Sequence, residues 1–160
     1  MRLRIAAATL AIGLCTAGVA TADEVPPEFQ NRPGVAACYN AVPTITGSGF
    51  IQGTPLPDVI QGSPLPDDIW GLDGNDIILG LGADDVIHGG SGNDLICAGW
   101  GDDKVQGGPD DDTAHGEPGD DRLRGGDGMD LLSGDLNADA GDGEAGFDFC
   151  TPSTEVQVSC

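Results

Sequence analysis

The sequence predicts an all-β protein, a solenoid of two parallel sheets made from stacked short coils. Residues 53–151 divide into eleven consecutive blocks of nine without insertion or deletion, and the sixth position is Asp in every block. The first position is Gly in ten blocks, with Ala98 the exception. The eighth is aliphatic in nine, namely Ile60, Ile69, Ile78, Ile87, Ile96, Val105, Ala114, Leu123 and Leu132. A fixed short period held over this length marks units that stack on one another to build a core.

The elements follow from the block. One apolar residue in nine is too sparse for an amphipathic helix and too regular for a loop. Gly at positions one and four is expected to supply the left-handed backbone of a tight turn. The three residues after each Asp then form a short strand with one side chain inward and two outward. A lone coil cannot bury its inward residue, so coils stack and like turns meet every second block. Asp76, Asp94, Asp112, Asp130 and Asp148 line one edge, and Asp67, Asp85, Asp103, Asp121 and Asp139 line the other. Carboxylates crowded in this way repel unless a hard cation lies between them. Ca²⁺ accepts six to eight oxygens from carboxylates and backbone carbonyls.

Blocks such as GLDGNDIIL (residues 71–79), GGSGNDLIC (89–97) and GGDGMDLLS (125–133) resemble the nonapeptide G-G-x-G-x-D-x-U-x of the RTX, or haemolysin-type, calcium-binding family. The resemblance implies a six-residue turn and a short strand per block, and two blocks per coil. It implies a right-handed parallel β-roll with Ca²⁺ between stacked turns. Eleven blocks paired two apart give at most nine sites, and about five to seven are expected, with affinity near 10⁻⁴–10⁻³ M. RTX repeats often follow a toxin or protease domain. This sequence resembles a stand-alone roll, so those activities do not carry over.

Ahead of the repeat, residues 1–22 read as a secretory signal peptide. Arg2 and Arg4 form its charged start, 5–20 its apolar stretch and Ala20-Thr21-Ala22 its cleavage site. The expected product is secreted, extracellular and monomeric, with no membrane span in the mature chain. Residues 23–37 hold three prolines and no period, and read as a flexible leader. Residues 38–52 read as an N-terminal cap, with Ile51 and Val42 carried inward by the nine-residue register and Gly49 standing where Asp would be. Residues 53–151 form the roll, and 152–160 a C-terminal tail.

The candidate metal ligands are Asp58, Asp67, Asp76, Asp85, Asp94, Asp103, Asp112, Asp121, Asp130, Asp139 and Asp148. Asp58 and Asp67 are expected to be the weaker ones, because Leu56-Pro57 and Leu65-Pro66 replace the usual Gly at position four and pull the turn toward extended angles. Gly74, Gly92, Gly101, Gly119 and Gly128 keep that position before Asp76, Asp94, Asp103, Asp121 and Asp130.

Other chemistries find little support. A formal charge of −21 excludes nucleic acid as a partner, since phosphate binding needs the opposite sign. His88 and His115 stand alone at outward positions, away from any tetrahedral zinc cluster. The D-G-N-D at 73–76 opens like an EF-hand loop but lacks the bidentate Glu that would close one. There is no G-x-S-x-G elbow, and identical repeating carboxylates do not make a differentiated acid and base. No catalytic or organic-cofactor residue is assigned, and Ca²⁺ is the expected cofactor. The main alternative to a calcium-binding module is a calcium-stabilised structural or adhesive surface protein.

Val59, Ile77, Leu95, Leu131 and Phe149 form an outward apolar column that something should cover, while Lys104, Arg122 and Arg124 lie on the other sheet beside the acidic rows. An even set of four cysteines remains after export, so two disulfides are expected, Cys38–Cys97 and Cys150–Cys160.

Overall fold

The structure, a computed structural model, describes residues 35–151. The expected signal peptide, residues 23–34 of the expected leader, the expected tail and Cys160 lie outside the described residues.

The chain is a parallel two-sheet β-solenoid of about six turns, as expected for a β-roll. Among the described residues one helix precedes the strands, α1 (Val35–Asn40). The seven-stranded sheet has the order β1 (Ile45–Thr46), β3 (Val59–Gln61), β5 (Ile77–Gly82), β7 (Leu95–Trp100), β9 (Thr113–His115), β11 (Leu131–Ser133) and β13 (Phe149–Thr151). The six-stranded sheet has β2 (Phe50–Gln52), β4 (Asp68–Asp73), β6 (Val86–Ser91), β8 (Lys104–Pro109), β10 (Arg122–Gly128) and β12 (Ala140–Gly146). Every pairing between these strands is parallel, and partners within the repeat lie two blocks apart, as Ile78 does from Ile96 and Ile69 from Ile87.

Stacking places the eighth-position residues in two columns, one on each sheet, that meet in one core, and Ile60, Ile69, Ile78, Ile87, Ile96, Val105, Ala114, Leu123 and Leu132 are all buried. Ala98, the one non-Gly first residue, adds its methyl group to this core. Strands such as β5 run on through positions one to three of the next block, so pairing extends into the turns, with Leu81 opposite Gly99.

The left-handed positions are two and four rather than one and four. Leu72 (φ 89°) and Leu81 (φ 86°) hold position two, while Ala83 (φ 71°) and Asp110 (φ 81°) hold position four. Gly at position one answers a demand for space. A Cβ on Gly71 would overlap both the Oδ2 of Asp76 and the carbonyl oxygen of Gly89.

The cap departs from the nine-residue register. Val42 is 82% exposed, and Ile45 takes the place beside the core opposite Ile60. Ile45 and Ile60 are 15 residues apart rather than 18, because the first coil turns through Gly47-Ser48-Gly49 and has no Asp turn to build. Ile51 is buried as expected.

Part of the apolar column is covered. Helix α1 begins at Val35, inside the stretch expected to be leader, and Cys38 packs with Leu79 and Cys97 while Tyr39 lies against them with Ile77, Leu81 and Leu95. The Cys38–Cys97 disulfide pins it there, with Cα atoms 6.4 Å apart. Cys150 is also disulfide-bonded. Leu131 and Phe149, further along the column, stay exposed. No helix among the described residues is long and apolar enough to cross a membrane.

Candidate metal centre

The two rows of sixth-position Asp are two hydrogen-bonded ladders. Along one edge the backbone N–H of Asp58, Asp76, Asp94, Asp112 and Asp130 donates to Oδ1 of Asp76, Asp94, Asp112, Asp130 and Asp148 in turn, at 2.8–3.1 Å. Along the other, the N–H groups of Asp67, Asp85, Asp103 and Asp121 donate to Oδ1 of Asp85, Asp103, Asp121 and Asp139, at 2.7–3.0 Å. The cap joins the second edge without an acid, since the N–H of Gly49 donates to Oδ1 of Asp67.

The other carboxylate oxygen distinguishes the turns. In Asp76, Asp85, Asp94, Asp103, Asp112, Asp121 and Asp130 the Oδ2 is buried with no hydrogen-bond partner. For most of these it points into the gap left by the first-position Gly, and at Asp76, Asp85, Asp94 and Asp112 a carbonyl oxygen from the coil beyond borders the same gap. A buried, unpaired carboxylate oxygen is among the most costly groups a fold can hold. A cation removes that cost.

Asp58 and Asp67 differ. Oδ2 of Asp58 accepts from the N–H and the Oγ1 of Thr54, both at 2.8 Å, and Oδ2 of Asp67 accepts from the N–H (2.6 Å) and Oγ (3.0 Å) of Ser63. These two turns satisfy themselves. The hydroxyl at position two does this, a feature separate from the Pro at position five.

Burial is the first cause of the electrostatics along the ladders. It pushes the carboxyls of Asp85, Asp94 and Asp112 up to about 7, Asp103 to about 6 and Asp121 to about 8, and it raises Asp76 and Asp130. The N–H each Oδ1 accepts pulls the other way, and neighbouring acids such as Asp102, Asp110 and Asp111 push further up. A dry carboxylate beside other carboxylates resists ionisation.

A second, outer ladder escaped the sequence reading. The fifth-position side chains of Asn75, Asp84, Asp102, Asp111 and Asp120 accept the N–H of Asn93, Asp102, Asp120, Met129 and Ala138, at 2.9–3.2 Å. Its signal is visible in the sequence as Asn or Asp at the fifth position of blocks three to eight. These groups are exposed and spend their oxygens on the backbone.

His88 stacks on Trp70, and His115 is buried rather than on the surface, with Nδ1 3.6 Å from Asp135. Arg124 pairs with Glu144 at 3.9 Å. Among the described residues no group of three or more His, Cys, Asp or Glu side chains converges on one point. A cation here would be held by carboxylates from successive coils together with backbone carbonyls, a donor set of oxygens that suits Ca²⁺ and not Zn²⁺.

The family model of the RTX calcium-binding nonapeptide repeat, four copies long, matches residues 52–87, 61–96, 70–105, 97–132, 106–140 and 115–150 in overlapping frames. No curated protein and no solved structure matches the chain. The family matches cover nearly all of the solenoid and more than half of the chain, in the same register as the Asp ladders. With its period, parallel β-roll and stacked Asp turns, this chain belongs to the RTX calcium-binding nonapeptide-repeat family.

Proposed function

We propose that this is a secreted calcium-binding protein whose roll folds when Ca²⁺ enters the stacked turns. Support comes above all from the buried Oδ2 oxygens of Asp76, Asp85, Asp94, Asp103, Asp112, Asp121 and Asp130, which have no hydrogen-bond partner. Their raised proton affinities express the same unmet demand for positive charge. Bound calcium supplies that charge. The chain's own residues do the rest: Gly at position one opens the gap, Oδ1 sets the spacing of the coils, and Oδ2 with neighbouring carbonyls faces the ion. Asp139 and Asp148 continue the two edges. Asp58 and Asp67, already satisfied by Thr54 and Ser63, contribute least.

The core is thin, with one eighth-position residue per strand. Metal that binds only the folded form then adds directly to folding stability. Calorimetric titration with Ca²⁺, followed in parallel by far-UV circular dichroism, tests the reading. Strand signal should form with millimolar Ca²⁺ and vanish in excess chelator. Asp94→Ala should lose more bound calcium than Asp58→Ala. A spectrum indifferent to chelator would overturn the coupling, and equal losses in the two variants would overturn the ligand assignment.

A further inference from the structure

We propose that the outer face of the six-stranded sheet carries a binding site for a neutral saccharide, centred on Trp70 and His88. A groove of about 440 Å³ lies on this face. One wall is the ninth-position column Trp70, His88 and Gln106, and Pro55, Asp73 and Pro109 at position three line the other side. Its floor includes Gly89, Gly90, Gly107 and Gly108. Beyond Leu72, which also lines the groove, that floor is bare because of the repeat itself. Gly89 and Gly107 clear the carboxylates of Asp94 and Asp112, while Gly90 and Gly108 take left-handed backbone angles. The family pattern therefore cuts the trough and leaves the wall residues free to specify a ligand.

The wall is built for contact. Trp70 is 40% exposed, yet its ring is held twice. It stacks on His88 with ring centroids 4.1 Å apart, and its Nε1 donates to Oδ1 of Asp68 at 2.7 Å. The core gains nothing from this arrangement. A fixed indole offers an apolar surface to the C–H face of a pyranose ring. Asp73, Gln106 and His88 bring a carboxylate acceptor, an amide and an imidazole for the hydroxyls, the mixture found in ligand sites of this volume. Trp70, His88 and Gln106 sit on successive coils, so the wall runs about 10 Å, roughly two linked sugar rings along the solenoid axis.

Charge and topology favour an uncharged ligand. An anion is repelled by the −21 chain and by Asp68 and Asp73 beside the indole. A cation has exposed carboxylates throughout the molecule and no need of an aromatic wall. A peptide strand adds to a sheet edge, whereas this face presents side chains above backbone that is already paired.

The test uses the full secreted chain in excess Ca²⁺, which keeps coil stacking out of the measurement. Trp100→Phe leaves Trp70 as the fluorescent reporter. Neutral tetra- to hexasaccharides of glucose, mannose, galactose and N-acetylglucosamine are titrated, with tetramethylammonium as the cationic control. At least one sugar should shift the emission with saturation at millimolar concentration or below. By calorimetry, Trp70→Ala should weaken that binding at least about tenfold, and Asp73→Asn, which leaves the indole and its neighbours in place, should weaken it severalfold with the circular dichroism unchanged. The proposal is overturned if no neutral sugar saturates, if Asp73→Asn and Trp70→Ala bind like wild type, or if only the cation shifts the emission.

Discussion

A single residue type, placed once in nine, does two jobs in this protein, and its two oxygens divide them. Oδ1 of each sixth-position Asp after Asp58 is spent on the backbone of the preceding coil, and Oδ2 of Asp76, Asp85, Asp94, Asp103, Asp112, Asp121 and Asp130 is buried with no hydrogen-bond partner, whereas Thr54 and Ser63 reach those of Asp58 and Asp67. Gly at position one is the partner of that division. Gly71→Ala should destabilise the calcium-loaded roll, because its methyl group meets both Asp76 Oδ2 and the Gly89 carbonyl. Ala83→Gly should do the reverse. It relieves a left-handed Ala at φ 71° and should gain up to about 1 kcal/mol, read as a rise in Tm in saturating Ca²⁺.

The raised carboxyls also set a pH dependence with a definite sign. Their folded pKa values, about 6 to 8 for Asp103, Asp94 and Asp121, exceed the unfolded value near 3.9. Without metal the folded state binds protons more tightly than the unfolded one, so their contribution is complete below about pH 4 and is lost as pH rises toward about 8. Metal-free protein should therefore carry more strand signal at pH 5 than at pH 8, where chelator abolishes it. In excess Ca²⁺ the order should invert, because protons and metal compete for the same oxygens. Far-UV circular dichroism at the two pH values, with and without Ca²⁺, decides the matter.

At the scale of elements, the strands were legible and the cap was not, for a physical reason. The strands repeat, so each weak local signal is voiced eleven times. Residues 35–40 occur once, and VAACYN is too short to show helical periodicity. Its apolar stripe acquires meaning only against Leu79 and Cys97, which are far away in sequence. The register error at Val42 has the same origin: a period says nothing about a coil that lacks the residue defining it. His115 was read as exposed because the ninth position faces outward, and nothing local shows that the flank beside α1 is closed off. The Cys38–Cys97 link was within reach because Cys97 could be placed outward beneath the apolar column, where the segment after Cys38 could lie. It closes a separation of 59 residues, and its replacement by Cys38→Ser with Cys97→Ser should cost about 2–5 kcal/mol in calcium-saturated denaturant melts. The acidic ladders should still form in that variant, since the contact α1 makes with a turn, the Tyr39 hydroxyl donating to Glu117 at 2.8 Å, does not involve a sixth-position Asp.

For the molecule as a whole, nearest-neighbour stacking makes the unit of construction the 18-residue coil and not the nine-residue block. Removing residues 125–142 deletes one complete coil and keeps every later residue on its own sheet and edge. That variant should fold in Ca²⁺ as a shorter roll and bind fewer ions by calorimetry, with its spectrum scaled down and unaltered in shape. Loss of calcium-induced strand signal would show that the coils are not independent in this sense.

The two side-chain ladders point in opposite directions. The sixth-position acid reaches back to the coil before it, while the fifth-position Asn or Asp reaches forward to the coil after it. A mid-stack coil is thus clasped by both neighbours. From Met129 and Ala138 onward the fifth position holds no acceptor, and Phe147 follows suit, so the forward clasp stops there while the backward one continues to Asp148. Grafted repeats should accordingly be accepted when spliced into the interior and refused when appended behind Thr151. The roll resembles a row of hooks and eyes whose final garment panel has been sewn without an eye.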